Sequence, residues 1–229
     1  MRSDLPLHIP PWSSTVVKRR VILQRVMPET PETLVSLHTL SPVGPLFLAA
    51  SAKGLVRLEF KARMQKLPAS IRLHESESAL APEFAHYVRE LNQYFAGERR
   101  EFSFPLDLRG SEFQLACWNA LLQIPYGGTC SYRDIAEAIG HPHAFRAVGM
   151  SNNRNPIAIV VPCHRVIASN GTLCGYGGGL DLKRKLLDLE QRNLRPDERV
   201  SRRSAFNESA LDDDRPGDDR PCLPFPIGA

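Results

Sequence analysis

Nothing in this 229-residue chain approaches the run of about 18 apolar positions that a membrane-spanning helix requires. The first residues also lack the apolar core of a signal peptide, because Pro6, Pro10 and Pro11 interrupt them. No Cys-x-x-Cys pair is present, and the seven histidines do not fall at zinc-finger spacing, so no metal is expected. Five cysteines at irregular intervals give no even disulfide framework. They fit a reducing, cytoplasmic compartment. No basic patch stands out along the chain either. The net charge is only +4, and the stretch from Arg195 onward, with six basic and eight acidic residues, is itself acidic. A surface for nucleic acid would therefore rest on a few well-placed groups.

The most informative stretch is Pro162-Cys163-His164-Arg165, which follows the unbroken apolar run Ile157-Ala158-Ile159-Val160-Val161. A cysteine beside a histidine on a buried segment is a way to make a thiolate and aim it. The apolar run reads as a buried strand. Because Cys163 and His164 are consecutive, an extended backbone sends their side chains to opposite faces. The imidazole then reaches the sulfur only through a water or a sharp turn.

The chain divides into four parts. Residues 1–33 are rich in proline and basic residues and read as a flexible extension, with Val16-Val17 and Val21-Ile22-Leu23 as short strand-like pieces. Residues 34–108 form a small α/β unit. Within it, Ser41-Pro42-Val43-Gly44-Pro45 is a turn, Leu46–Ala50 a strand, Lys53-Gly54 a hairpin turn and Leu55–Phe60 a second strand. Phe84, Tyr87, Val88, Leu91 and Phe95 recur at helical spacing over Pro82–Phe95, and Gly97 follows as a C-cap. Phe102, Phe104, Leu106 and Leu108 alternate as a half-buried strand does. No residue of this unit carries evident chemistry.

Residues 109–194 hold the motifs. Ser111 and Gln114 form a capping box ahead of a helix whose apolar face is Phe113, Cys117, Ala120, Leu121 and Ile124. Ser131 caps a second helix, Tyr132–Ile139, with Asp134 in its first turn. Gly140-His141-Pro142 leads into a third, from His143 to about Asn152, completing a helix-turn-helix. This third helix carries Ala144, Ala147, Gly149 and Ser151, a surface of little bulk suited to close approach. Ser169-Asn170-Gly171 is a hairpin turn. Gly175–Gly179 is a flexible loop able to close over a pocket, and Leu180–Glu190 is a helix with Leu182, Leu186, Leu187 and Leu189 apolar. Residues 195–229, rich in Asp, Arg and Pro, read as a disordered tail.

The segment from Asn155-Pro156 through Val166-Ile167 closely resembles the active-site signature of the O6-alkylguanine-DNA alkyltransferases, the methylated-DNA–protein-cysteine methyltransferases. The likeness runs from about Ser111 to Glu190 and takes in Leu121–Gly127, Ser131-Tyr132, Arg146-Ala147-Val148-Gly149 and Gly175–Leu180. It extends more weakly over Ser41–Leu46 and Gly54–Leu58. The resemblance implies an α+β fold, with a small ribonuclease H-like α/β domain followed by a winged helix-turn-helix domain. It implies DNA repair by direct damage reversal in a monomer. The alkyl group of O6-alkylguanine in double-stranded DNA, with O4-alkylthymine as a second candidate, passes to Cys163 in an SN2 step. A thioether has no good leaving group, so the transfer is irreversible and each chain acts once. No cofactor is needed, since the lesion is itself the alkyl donor.

By the same resemblance, His164 is the base, acting through a water, and Glu190 fixes its tautomer. Asn155 ties the helix-turn-helix to the active site, and Tyr132 donates to the leaving guanine. Pro162, Ala158, Val166, Tyr176 and Gly177 surround the alkyl pocket, with backbone N–H groups near Val166 and contacts near Gly177 holding the base. Gly177 stands where relatives often have serine, and Ala158 where some have proline or serine. A lesion inside a duplex is out of the cysteine's reach, so the nucleotide must be flipped. Arg146 is implied to fill the gap it leaves. Ala147, Gly149, Arg154, Ser131 and Tyr132 lie along the DNA, the third helix sits in the minor groove, and the loop through Arg154 and Asn155 is the wing. Cys117, Cys130, Cys174 and Cys222 match no functional role. A lesion binder of the same fold, or a winged-helix regulator with a fortuitous Pro-Cys-His-Arg, would take up no alkyl group.

Overall fold

The computed structural model describes residues 32–60, 71–75, 82–195 and 198. The expectations for residues 1–31 and for the tail beyond 198, Cys222 included, lie outside the described residues.

Among the described residues, the N-terminal half is a sheet with one helix on it. Strands β1 (Glu32–Thr39), β2 (Leu46–Ser51), β3 (Gly54–Phe60) and β4 (Ile71–Glu75) lie in the order β3-β2-β1-β4. The two hairpins are antiparallel and β4 joins β1 in parallel. Alternation along the strands separates two apolar faces. Leu46, Leu48, Leu58 and Phe60 enter the main core, while Leu34, Phe47, Ala49 and Val56 form a smaller cluster. Helix α1 (Pro82–Phe95) buries Phe84, Tyr87, Leu91 and Tyr94 in that main core. Gly97, at φ +79°, ends it, and a Cβ there would collide with the side chain of Asn193.

Phe102, Phe104, Leu106 and Leu108 are buried, as their alternation predicts, but the segment is not a regular strand. It meets β3 at one bridge, where the Leu55 N–H donates to Pro105 O and the Asp107 N–H donates to Leu55 O. Pro105 has no N–H to extend the ladder.

The C-terminal half is helical. Helix α2 (Glu112–Leu121) carries the complete Ser111–Gln114 capping box. A two-residue strand β5 (Cys130–Ser131) leads into α3 (Tyr132–Ala138), where Ser131 and Asp134 cap each other reciprocally. Helix α4 (Phe145–Asn153) starts two residues later than the sequence suggests, because residues 141–144 close a turn in which the Ala144 N–H donates to His141 O. Buried Trp118 on α2 donates its Nε1–H to Ser151 O on α4 at 2.9 Å. Strand β6 (Val166–Ile167) pairs in parallel with β5, and α5 (Leu180–Arg192) closes the half. No described helix is long and apolar enough to cross a membrane.

The apolar run Ile157–Val161 is not the strand its composition suggests. All five residues are buried, but the backbone winds through successive tight turns. The Val160 N–H donates to Ala158 O, the Val161 N–H to Ile157 O and the Cys163 N–H to Val161 O, at 2.8 to 2.9 Å. Ile159 sits at φ +70°, a conformation β-branched residues avoid unless their surroundings impose it. Here the imposing neighbour is the open edge of β3. The Leu58 N–H donates to Pro156 O and the Ala158 N–H donates to Leu58 O, at 2.9 and 2.8 Å. A short apolar run reports burial, not backbone shape.

Candidate active site

Cys163, His164 and Arg165 form a single 3₁₀ turn, so the sharp turn replaces the extended geometry. Asn155 holds it in place. Its Nδ2 donates to Val161 O at 2.7 Å and to Cys163 Sγ at 3.0 Å, and its Oδ1 accepts from the Ile157 N–H at 3.0 Å. An N–H aimed at sulfur favours the thiolate over the thiol.

His164 is wholly buried, and its Nε2 lies 2.9 Å from Glu190 Oε1. Its Nδ1 is also buried and has no hydrogen-bond partner among the described residues. Glu190 collects donors from four directions. Tyr94 Oη–H reaches it at 2.7 Å, the Gly127 N–H at 2.8 Å, His164 at 2.9 Å, and the Arg165 guanidinium through Nε and Nη2 at 2.9 to 3.2 Å. Burial opposes charge on Glu190, but the Arg165 guanidinium, aided by His164, holds its carboxyl well below the usual carboxylate range. An ionised carboxylate only accepts. His164 therefore presents Nε2–H to Glu190 and keeps the basic lone pair on Nδ1. Burial also pushes the imidazole below its ordinary pKa, more than the pull of Glu190 raises it, so His164 is held neutral and able to take a proton.

The structure thus brings Cys163, His164, Glu190 and Asn155 together, and it adds residues that sequence reasoning missed. Arg165 is one: besides pairing with Glu190 it donates to Ile124 O at 2.6 Å and stands 5.7 Å from the centre of the Tyr126 ring. Tyr94 is another, and it comes from the half that carries no evident chemistry. Lys183 is a third, fully buried and donating Nζ–H to Val166 O and Cys174 O. Lys183, Leu186 and Glu190 form the buried stripe of α5. That i, i+3, i+7 spacing is visible in the sequence, but the neighbouring leucines masked it.

Cys163 opens on a cavity that Ala158, Tyr176 and Gly177 also line. Pro162 and Val166, expected among the pocket residues, are not in its wall. Both polar backbone atoms of Val166 are engaged elsewhere, its N–H by Cys163 O and its carbonyl by Lys183. Phe60 of β3 completes the wall, its ring centre 6.2 Å from that of Tyr176. Gly178 lies close beside them, and a Cβ there would push on the Leu182 methyl and press on the Phe60 and Tyr176 rings. Tyr132 is half-buried outside this wall, its Oη 3.3 Å from the carbonyl oxygens of Cys174 and Gly175 at the start of the glycine loop.

On α4, Arg146, Ala147 and Met150 face outward, and Arg154 follows at the C-cap. Gly149 does not join them: it is buried with Val148, Ser151 and Asn152 on the inward side. The loop expected as a wing also turns inward, since Asn155 is buried and only Arg154 stays exposed. Ser131 is half-buried and committed to its cap.

Two family descriptions match this chain. "6-O-methylguanine DNA methyltransferase, ribonuclease-like domain" covers residues 38–108, and "6-O-methylguanine DNA methyltransferase, DNA binding domain" covers residues 112–192. The methylated-DNA–protein-cysteine methyltransferase of Mycolicibacterium paratuberculosis is 53% identical over 153 residues, which is 67% of this chain and 90% of that protein. That of Methanosarcina barkeri is 46% identical over 155 residues, 68% of this chain and 96% of that protein. Among solved structures, Mycobacterium tuberculosis OGT in complex with DNA matches at a TM-score of 0.63 and 45% identity, over 73% of this chain and 99% of that one. With both halves matched in order and with relatives this similar over nearly their full length, the chain belongs to the methylated-DNA–protein-cysteine methyltransferase family.

Proposed function

We propose that this chain repairs DNA by moving the alkyl group of O6-alkylguanine onto Cys163, once and irreversibly. The observation that carries the reading is the buried His164–Glu190 pair beside Cys163 in one 3₁₀ turn, with Asn155 on the sulfur. The His164 Nδ1 takes the thiol proton through a bridging water. The sulfur attacks the alkyl carbon, the carbon–O6 bond breaks, and its electron pair stays on the guanine. The guanine takes up one proton from Tyr132, the phenolate recovers one from solvent, and the His164 imidazolium releases the thiol's proton to solvent, so one proton passes in net from thiol to guanine. Nothing in the resulting thioether can leave, so the chain is consumed. O4-alkylthymine offers the same alkyl–oxygen electrophile and is the second substrate of the proposal.

Cys163 is only 7% exposed, so a base stacked in a duplex cannot present its alkyl group to it. The nucleotide must swing out of the stack. Exposed Arg146, on the outer face of α4, is the group that fills the space left behind. Arg154 and Ala147 follow the backbone beside it, and binding is largely independent of sequence and weakened by salt.

The test is intact-protein mass spectrometry after incubation with duplex DNA carrying one O6-methylguanine. The expected result is a gain of one methyl group on Cys163 that saturates at one per chain and is absent in Cys163→Ala. Tight binding without mass gain would overturn the proposal in favour of lesion recognition. A second measurement isolates flipping. Arg146→Ala should slow repair in duplex DNA by about 10-fold or more while leaving the reaction with free O6-benzylguanine near wild type. Equal losses on both substrates would remove Arg146 from that role.

A further inference from the structure

Two asparagines sit within one turn of each other beside Cys163, and they are used differently. The Asn155 amide is fully engaged in holding the nucleophile's turn, through two donated bonds and one accepted. Asn152, the penultimate residue of α4, lines the same cavity as Cys163 and is 9% exposed. Both polar atoms of its side chain, Nδ2 and Oδ1, are buried without a hydrogen-bond partner among the described residues. Its backbone is fixed, with its carbonyl accepting from the Asn155 N–H and the neighbouring Ser151 O taking the Trp118 indole. A buried amide with neither atom paired is uncommon in a native fold and calls for a partner. An apolar residue of the same size would fill the site without that cost.

We propose that Asn152 is a substrate-contacting residue. Its Nδ2–H donates to the acceptor edge of the bound base around O6, and so sets which bases react and how fast. The inference rests on the alkyl-transfer reading above and deepens it. Cys163 must reach the carbon attached to O6, so the part of the base nearest Cys163 is O6 with its flanking ring nitrogens. In O6-alkylguanine those atoms, N1, O6 and N7, are all acceptors, so of the two ends of the Asn152 amide only the N–H end matches them. As the carbon–O6 bond breaks, its electron pair moves onto that same edge. A donor there is held more tightly in the transition state than in the ground state, which accelerates the step rather than merely binding the base.

Asn152→Leu keeps the shape and removes the donor. The expected result is a maximal single-turnover rate lower by about 100-fold, on both duplex O6-methylguanine and free O6-benzylguanine. The affinity for unmodified duplex should stay near wild type, because Asn152 faces inward, and the unfolding midpoint should not fall, because Leu removes the unpaired amide. A rate within about twofold of wild type would overturn the inference while leaving alkyl transfer standing. A wild-type chain that takes up no alkyl group would overturn both. A second measurement does not depend on how the Leu variant folds. In Cys163→Ala, the Asn152 side-chain amide resonances should shift downfield on addition of O6-benzylguanine. Shifts at Ala158 and Gly177 with none at Asn152 would show the base bound without the proposed contact.

Discussion

In the half that begins at Glu112, charged and polar side chains are drawn into the interior: Arg165 and His164 pair with Glu190, and Lys183 donates to backbone carbonyls. In the half that ends at Leu108, the interior around Tyr94 is packed with apolar side chains such as Phe84, Leu91 and Phe102. The first half holds the reacting atoms and the second holds them still. Tyr94 of α1 donates to Glu190, Phe60 walls the cavity, and Leu58 of β3 clamps the segment leading to Cys163. A reactive centre wound into tight turns, with Ile159 at positive φ, needs restraint from outside its own chain segment. The N-terminal half supplies that restraint, and Glu59 of β3 is the one of its buried carboxylates that also lines the cavity.

Removing the charge that balances Glu190 should break this division most severely. Arg165→Met leaves a buried carboxylate without its main counter-charge, and should cost about 3–5 kcal/mol of stability in a urea unfolding series. A loss below about 1 kcal/mol would mean that Tyr94, Gly127 and His164 suffice to hold Glu190.

Acid should expose the same dependence more gently. The Glu190 carboxyl is depressed in the folded chain, so its contribution is present above the unfolded carboxylate range and lost as pH falls through it. The His164 imidazole is also depressed, so below about pH 6.5 the unfolded chain binds a proton that the folded chain resists. Both signs agree: stability should decline from about pH 6.5 downward and more steeply below about pH 4.5. In Arg165→Met the lower, steeper part should flatten and the upper part remain. A pH profile unchanged by the substitution would assign the acid sensitivity to other groups.

Tyr94→Phe tests the link between halves directly. It removes one hydrogen bond to a charged acceptor, with an expected cost of about 1.5–3 kcal/mol and a slower alkyl transfer. The smallest effect should come from a link inside the C-terminal half. Trp118→Phe removes the indole bond from α2 to Ser151 O, a neutral pair, and should cost about 1 kcal/mol from that bond. If Tyr94→Phe cost less than about 1 kcal/mol and left alkyl transfer at its wild-type rate, the N-terminal half would be a passive neighbour rather than part of the site.

Legibility in the sequence followed the range of the interactions. The capping boxes at Ser111 and Ser131 and helix α1 depend on residues three or four apart, and their patterns predict them. The run Ile157–Val161 misled because five apolar residues announce burial while the turn depends on Asn155 and the edge of β3. Arg165 and Tyr94 stayed hidden for a different reason. They meet Glu190 across 25 and 96 positions of chain, and no local period connects them. The burial of Gly149 was not legible because small size suits both a close external approach and a tightly packed inner face, and only the helix's rotation decides between them.

The outer side of β3 is an edge of the sheet, and among the described residues no regular strand covers it. Leu55 is met there by the segment around Pro105 and Leu58 by the segment from Pro156 to Ala158. An unpaired sheet edge is a template on which other chains can add strands. The segment that delivers the nucleophile is therefore also a cover for a self-association surface. Any event that pulls residues 156–158 away disarms the site and bares that edge together, so loss of reactivity and the onset of aggregation should arrive as one transition.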